Sequence, residues 1–336
     1  MVNVSAETLP WSWYTDPDIL RREQERIFRR AWQYVGHSGQ VAEAGDHFPA
    51  ELGEVPVVVV RDEEGTVRAF LNVCRHRGSQ LVEEAGRRET LQCQYHAWTY
   101  ALDGSLRAAP RSEREPGFDG EGLSLIELRL EAWGPFLFVN ADREARPLLE
   151  ALGPLPDIVP LDGLEFRLRD DYELAANWKI ACENYLECYH CPVAHKGFSK
   201  AFRVSPDAYR LEPTGDFVLS QFAPSRTDGE GQFHFVWPNL KVNVYPGPPN
   251  LSIGPLVAAG PSGSRGYLDY FFSADADEAW IEELLAFDRR VGAEDRVLVE
   301  RVQRGVRSGL LEQGRLLPES EQLVVRFQEL VRAAVG

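Results

Sequence analysis

Cys74-Arg75-His76-Arg77-Gly78, followed after fourteen residues by Cys93-Gln94-Tyr95-His96-Ala97-Trp98, is the stretch on which the reading of this chain turns. In an extended segment residues two apart point the same way, so Cys74 and His76 aim at a common point from one loop. Cys93 and His96 can do the same from a tight turn. Two thiolates and two imidazoles suit a tetrahedral zinc ion. They equally suit a [2Fe–2S] centre with two cysteines on one iron and two histidines on the other. The plainest alternative is a set of satisfied core residues. Each half supplies one Cys and one His, whereas zinc fingers usually bring two Cys and then two His, which favours the cluster. So does the β-rich surrounding, large enough to fold without a metal.

Outward from this stretch, residues 41–140 read as a small all-β domain. Val55–Arg61 and Val67–Val73 flank Glu63-Glu64-Gly65, a hairpin signal. Asp103-Gly104 after Tyr100 and Leu102 marks a turn, and Trp133–Val139 is a further apolar strand. Upstream, Asp16–Trp32 has helical spacing, so residues 1–40 are expected to be a helical segment packing on the second domain. Downstream, Pro147–Asp162 carries four prolines and reads as a connection. Residues 141–336 then show strands at Glu165–Leu174, Tyr209–Phe222, Gln232–Tyr245 and Tyr267–Ser273. Helices are expected at Asn177–Cys191, Ala276–Ser308 and Ser320–Ala334. This order predicts an α+β domain with a helix laid across a twisted sheet.

The second domain holds its own constellation, Glu183-Asn184-Tyr185-Leu186-Glu187-Cys188-Tyr189-His190-Cys191-Pro192-Val193-Ala194-His195. On the expected helix Glu187 and His190 share a face. Pro192 ends that helix, and the chain can turn to bring His195 beside His190. Two imidazoles with one carboxylate make the iron(II)-binding face of non-haem oxygenases, with positions left open for O₂. In the long helix Trp280, Leu284, Phe287, Val291, Leu298 and Val302 form an apolar stripe. Asp295 lies on that stripe, and a carboxylate facing a core must be paired or bind metal. Asp295 is therefore chosen over Glu294 and Asp288; the competing reading is an edge carboxylate reaching solvent. Cys188, Cys191, His190 and His195 also resemble a zinc knuckle, but on one helix they cannot all converge. Buried, inert thiols are expected for Cys182, Cys188 and Cys191.

A net charge of −16 and a pI near 5.0 argue against nucleic acid or an anionic membrane surface as partner. The longest apolar stretch, Val55–Val60, is far short of a membrane span, and no signal peptide is evident. A soluble, cytoplasmic protein is expected. Five cysteines, confined to two short stretches, fit reduced thiols and metal ligands better than a disulfide framework.

Cys-x-His and Cys-x-x-His at this spacing, with Arg-Gly and Tyr-His-x-Trp beside them, strongly resemble the Rieske motif. With the second constellation, the chain from Leu9-Pro10 to about Ser308 resembles the α subunit of the Rieske non-haem iron oxygenases. Asn177-Trp178-Lys179, Glu183-Asn184-Tyr185 and the Asp295-x4-Glu300 pair match family segments. The resemblance implies an all-β Rieske domain and a helix-grip (START/Bet v1-like) catalytic domain with an antiparallel sheet. It implies that Cys74, His76, Cys93 and His96 hold a [2Fe–2S] cluster, and that His190, His195 and Asp295 hold mononuclear Fe(II). Electrons would come from an NAD(P)H-dependent reductase or a ferredoxin, with O₂ as co-substrate. Head-to-tail homotrimers would place each cluster near a neighbour's iron, with Glu187 bridging the two centres. Glu-Asn-Tyr-Leu-Glu-Cys-Tyr-His-Cys looks most like the branch acting on choline, glycine betaine, carnitine and stachydrine, hence hydroxylation or oxidative demethylation of a small quaternary amine. The alternatives are ring cis-dihydroxylation by an α subunit paired with a β subunit, and a Rieske electron carrier with a structural second site. Gln94 and Ala97 stand where the family usually has Pro and Gly, which touches loop shape rather than ligation. The aromatic run Phe217, Phe222, Phe233, Phe235, Trp237 and Tyr245 is expected to be mostly sheet core, with an aromatic cage as the functional alternative.

Overall fold

Val55–Arg61 is β-branched almost throughout, and its stiff rotamers favour an extended chain. In the computed structural model, which describes residues 7–336, this run is strand β3. It pairs antiparallel with β2 (Asp46–Leu52) and, across the expected hairpin, with β4 (Val67–Leu71). The seven-stranded sheet is completed by β1 (Gln33–His37), β5 (Gly86–Arg87), β9 (Glu127–Trp133) and β10 (Phe136–Asn140), in the order β1-β10-β9-β4-β3-β2-β5. A small sheet holds β6 (Leu91–Gln92), β7 (Thr99–Tyr100) and β8 (Leu106–Ala108). The side chains of β3 alternate between two cores. Val57 and Val59 join Phe48, Val35 and Leu137, whereas Val58 and Val60 join Phe70, Trp98, Tyr100, Cys74 and Cys93. The strand is thus buried on both faces and underpins the cysteine loops.

Two local expectations change. The expected helix Asp16–Trp32 is α1 (Pro17–Glu23) with a π-turn through Phe28, after which the chain enters β1. Trp133–Val139 is not one strand, because Gly134 at φ +55 and Pro135 fold it into the β9–β10 hairpin.

The chain divides into two units, Phe28–Leu148 and a second containing the N-terminal residues through Ile27 together with Leu149–Gly336. In the second, α2 (Leu148–Leu152) and α3 (Leu155–Ile158) occupy the expected proline-rich connection. Its antiparallel sheet runs β11 (Leu164–Leu174), β17 (Ser264–Ser273), β16 (Asn250–Ala258), β15 (Leu240–Val244), β14 (Glu230–Val236), β13 (Val218–Pro224), β12 (Arg210–Pro213). Strand β16 has no counterpart in the sequence reading, since Gly254 and Pro255 both disfavour a strand interior. Gly254 is required there: a Cβ would lie 1.7 Å from the Tyr267 carbonyl oxygen on β17. The runs Tyr209–Phe222 and Gln232–Tyr245 each split into two strands.

Helix α7 (Glu278–Val306) lies on this sheet through Ile281, Leu284 and Leu285. Its buried line continues to Val299, Gln303 and Val306, while Val302 is exposed. The expected stripe follows a spacing of about 3.5 residues, and a straight helix drifts by ~20° per heptad against it. Near Asp295 the two lines still coincide. The short helix α4 (Trp178–Tyr185) is capped by the Asn177 side chain, which accepts from Lys179 N at 3.0 Å. Trp178 Nε1 and Lys179 Nζ both donate to buried Glu23, tying α1 to α4. The chain ends in α8 (Gln322–Val335), whose Phe327 and Val331 are fully buried. No helix among the described residues is long and apolar enough to cross a membrane.

Candidate metal centres

At the first centre the sequence places one ligand pair on the loop after β4 and the other between β6 and β7. Each loop closes on itself: Cys74 N donates to Ser79 O and Cys93 N donates to Trp98 O, both at 2.8 Å. Cys74 and Cys93 are buried, His76 and His96 exposed. The imidazoles meet edge to face with ring centroids 4.7 Å apart, and His76 stacks on Trp98. Tyr100 Oη lies 3.5 Å from Cys74 Sγ and accepts from Arg75 N at 2.9 Å. Burial opposes ionisation of Cys93, but the N–H groups of Tyr95 and His96, with Cys74 and Ser79, hold its pKa below the usual thiol value. Desolvation, His76 and Arg77 lower the His96 pKa, which keeps the ring neutral as a ligand must be.

The spacing decides between the two metal readings. Among the described residues, one set of Cys, His and acidic groups has its ligand atoms all within 4.8 Å, and it is the other centre. Cys74, His76, Cys93 and His96 are too spread for a single tetrahedral zinc, whereas a two-iron cluster separates its thiolate pair from its imidazole pair. The residues fit the cluster. Ala97 has φ +57, a left-handed conformation that normally selects glycine.

At the second centre, helix α4 stops at Tyr185, so Glu187 and His190 do not share a helical face as expected. They meet through a turn instead, which leads into α5 (Cys191–Ala194) and α6 (Lys196–Ala201). Glu187 Oε2 accepts from His190 N at 3.2 Å and from Tyr189 N, and its Oε1 accepts from His190 Nδ1. His195 Nδ1 donates to Glu294 Oε2 at 2.8 Å. With both Nδ1 atoms on carboxylates, both Nε2 atoms present lone pairs. They lie 3.0 Å apart, with Asp295 Oδ1 at 2.9 Å from His195 Nε2 and 3.5 Å from His190 Nε2. Three ligand atoms converging on one point are the donor set of a two-His, one-carboxylate iron site. Burial resists protonation of His190, but Asp295 and Glu187 push its pKa up to about 9, so the Nε2 lone pair is exposed to a metal only as that metal displaces the ring's second proton. Burial favours a neutral Asp295, yet the two imidazoles hold it well below the carboxylate range.

The rival carboxylates have other partners. Glu294 orients His195, and Asp288 accepts from the Tyr245 and Tyr270 hydroxyls. Asn184 Nδ2 donates to Asp295 Oδ1 at 2.7 Å and aims that carboxylate; the sequence reading had assigned it no role. Glu300 accepts from Ala175 N at 3.3 Å. The expected free thiols of Cys188 and Cys191 are joined in a disulfide, their Cα atoms 4.9 Å apart. The early helix end allows this, and it removes the zinc knuckle because bonded sulfurs cannot ligate as thiolates. Cys182 stays a free buried thiol, its pKa pushed up by burial.

A cavity of about 430 Å³ opens between the sheet and α7 and reaches His190, His195 and Asp295. Of the aromatic run only Phe233, Phe235 and Tyr245 line it, and the remaining three do not.

Residues 31–126 match the Rieske [2Fe-2S] domain, and residues 161–336 match the ring hydroxylating alpha subunit (catalytic domain). The chain belongs to the ring-hydroxylating α-subunit family of Rieske oxygenases. It is 34% identical to the chloroplastic choline monooxygenase of Atriplex hortensis, over 96% of this chain and 76% of that protein. It is also 34% identical to the carnitine monooxygenase oxygenase subunit of Escherichia coli (strain K12), over 94% of this chain and 88% of that protein. A solved quaternary ammonium Rieske monooxygenase in complex with L-carnitine superposes with TM-score 0.88 at 30% identity, covering 98% of this chain and 96% of the other. As an oxygenase of this family the chain is an oxidoreductase whose cofactors are a Rieske cluster and a mononuclear iron, with O₂ as co-substrate. Rieske oxygenases take electrons from a separate reductase or ferredoxin and act on small substrates.

Proposed function

We propose that this α subunit hydroxylates or oxidatively demethylates a small quaternary amine. The observation that carries the site is the convergence of two Nε2 atoms and Asp295 Oδ1 on one point beside the cavity. In this reading Cys74, His76, Cys93 and His96 hold the cluster, and His190, His195 and Asp295 hold the iron. The residues from Phe28 to Leu148 carry electron transfer, and the second unit carries catalysis. Bound iron, supplied with electrons, activates O₂. The chain's own groups do the rest: Glu187 and Glu294 fix the imidazole tautomers, Asn184 aims Asp295, and the apolar cavity wall excludes water.

The substrate class is supported by Phe233, Tyr245 and Tyr270 on the cavity wall, with the Asp288 carboxylate among them. Ring faces and a carboxylate attract a quaternary ammonium, which has no N–H to donate. The relatives named for choline and carnitine agree with that class. We read the protein as a cytoplasmic homotrimer fed by an NAD(P)H-dependent reductase or ferredoxin, with Glu187 bridging to the partner subunit's cluster. Exposed Tyr189 and Val193, beside Glu187, suit burial in such an assembly.

The test is metal analysis with O₂ uptake. About three irons per chain and O₂ consumption elicited by trimethylammonium compounds are expected. About two irons would leave an electron carrier, and uptake with aromatic acids alone would indicate ring dihydroxylation.

A further inference from the structure

No local residue type explains why α4 stops at Tyr185. Leu186-Glu187-Cys188-Tyr189-His190 holds neither glycine nor proline, and such a run can continue a helix. In a continued helix the Tyr189 N–H would donate to the Tyr185 carbonyl, and the His190 N–H to the Leu186 carbonyl. Both N–H groups go elsewhere, because Glu187 Oε2 accepts from each of them. The Tyr185 carbonyl accepts from the side-chain amide of Gln221, on β13. A strand residue thus takes over the acceptor of the missing turn, and a carboxylate takes over its donors. A carbonyl at a buried helix end is costly without such a partner.

Gln221 is well placed for that bond. It is only 2% exposed, and β12 and β14 pair with its strand on either side. Its Oε1 accepts from Tyr209 Oη at 3.1 Å. With the amide oxygen turned to that phenol, the NH₂ group faces the Tyr185 carbonyl. Tyr185 is held a second time, since its hydroxyl donates to Asn243 Oδ1 on β15 at 2.6 Å. The end of α4 is therefore clamped to the sheet. The residues flanking the clamp touch the converging ligand set: Asn184 donates to Asp295 at 2.7 Å, and Glu187 accepts from His190 Nδ1. The Cys188–Cys191 disulfide closes the turn that follows and leaves the Tyr185 carbonyl to Gln221.

We infer that Gln221 is a positioning residue for the iron centre, with Tyr209 acting through it. The amide stops α4, and that stop frees the Glu187 carboxylate to hold His190. This rests on the reading of His190 and His195 as iron ligands. The competing state is one more turn of helix, in which the Tyr189 N–H returns to Tyr185 and Glu187 loses its backbone donors. Apparent iron affinity falls in proportion to the chains that leave the competent state. Gln221 acts on that population and not by ligation.

The test is anaerobic titration with Fe(II) of protein stripped of mononuclear iron, its cluster intact. Gln221→Met keeps the bulk and loses both hydrogen bonds. A loss of roughly tenfold in affinity is expected, the lower end of the range for groups behind a metal ligand. Tyr209→Phe should lose about threefold, within the range of one neutral hydrogen bond. Added to Gln221→Met it should cost nothing further, because the hydroxyl works through the amide. The nitric oxide adduct of the iron-loaded Gln221→Met protein should show an altered high-spin EPR signal beside an unchanged Rieske spectrum. A lowered melting temperature with wild-type Fe(II) affinity and a wild-type nitric oxide signal reduces Gln221 to packing and overturns the inference. Additive losses from the two substitutions overturn it as well. Should Gln221→Met not fold, Tyr209→Phe decides alone, and wild-type affinity there overturns the inference. Wild-type protein that takes up no Fe(II) beyond the cluster refutes instead the iron-site reading beneath it.

Discussion

Glu294 and Asp295 are adjacent on α7, and replacing each in turn separates a group that orients a ligand from a group that is one. His195 Nδ1 donates to Glu294 at 2.8 Å, and Asp295 Oδ1 lies 2.9 Å from the other nitrogen of the same ring. Glu294→Gln keeps an acceptor oxygen and removes the charge. A charge-assisted hydrogen bond contributes roughly 1.5–3 kcal/mol. The Glu294 side chain is 34% exposed, so solvent screening puts it at the lower end of that range. About 1.4 kcal/mol is a tenfold loss of iron affinity, within the ~10–100-fold found for groups behind a metal ligand. Asp295→Asn removes the anionic donor itself and should cost well over a hundredfold. Anaerobic Fe(II) titration of protein stripped of mononuclear iron measures both, with the visible Rieske spectrum as internal standard. If Glu294→Gln abolishes iron binding as completely as Asp295→Asn, Glu294 is a ligand and the assignment here is wrong. An unchanged affinity would show that the Glu294 contact does nothing for the metal.

Glu187→Gln is expected to retain both metals while single-turnover reoxidation of the reduced cluster slows by orders of magnitude; stopped-flow reoxidation at the wild-type rate would refute the bridge. Ala97→Gly should stabilise the cluster loop, because an L-residue in the left-handed region costs about 1–2 kcal/mol and the extra freedom of unfolded glycine returns about half. A rise in the melting temperature with an unchanged Rieske spectrum is the expected result, and a fall rejects it. Burial among Tyr14 and Gln328 pushes the Glu183 pKa up to about 7 from 4.5. The folded chain therefore holds a proton that the unfolded chain has released, and stability falls as pH rises from about 4.5 to 7 by roughly 3 kcal/mol, then levels off. Glu183→Gln should flatten that slope in urea unfolding measured across the window, and equal slopes in the two proteins would rule the linkage out.

What lay within a few residues was legible in the sequence. Cys74 with His76, Cys93 with His96, and Glu187, His190 and His195 each sit on one loop or turn, so short spacing sets which side chains can meet. The β3–β4 hairpin and α7 followed from local signals, a turn glycine and a helical period. Asp295 was reachable because its place on α7 near the drifting stripe still faced inward. Tertiary structure decided the rest. Whether Glu187 meets His190 across a helix face or a turn depends on α4 ending at Tyr185, which no residue before Pro192 announced. The disulfide between Cys188 and Cys191 follows from the same early end. Strand β16 was hidden because Gly254 looks like a breaker until the Tyr267 carbonyl is brought against it. Lys241, Tyr172 and Asp288 come from β15, β11 and α7, and alone each reads as an ordinary surface or core residue. Only closure of the sheet under α7 puts an ammonium, a phenol and a carboxylate on one cavity, because burial and convergence are properties of packing between distant segments, not of their order along the chain.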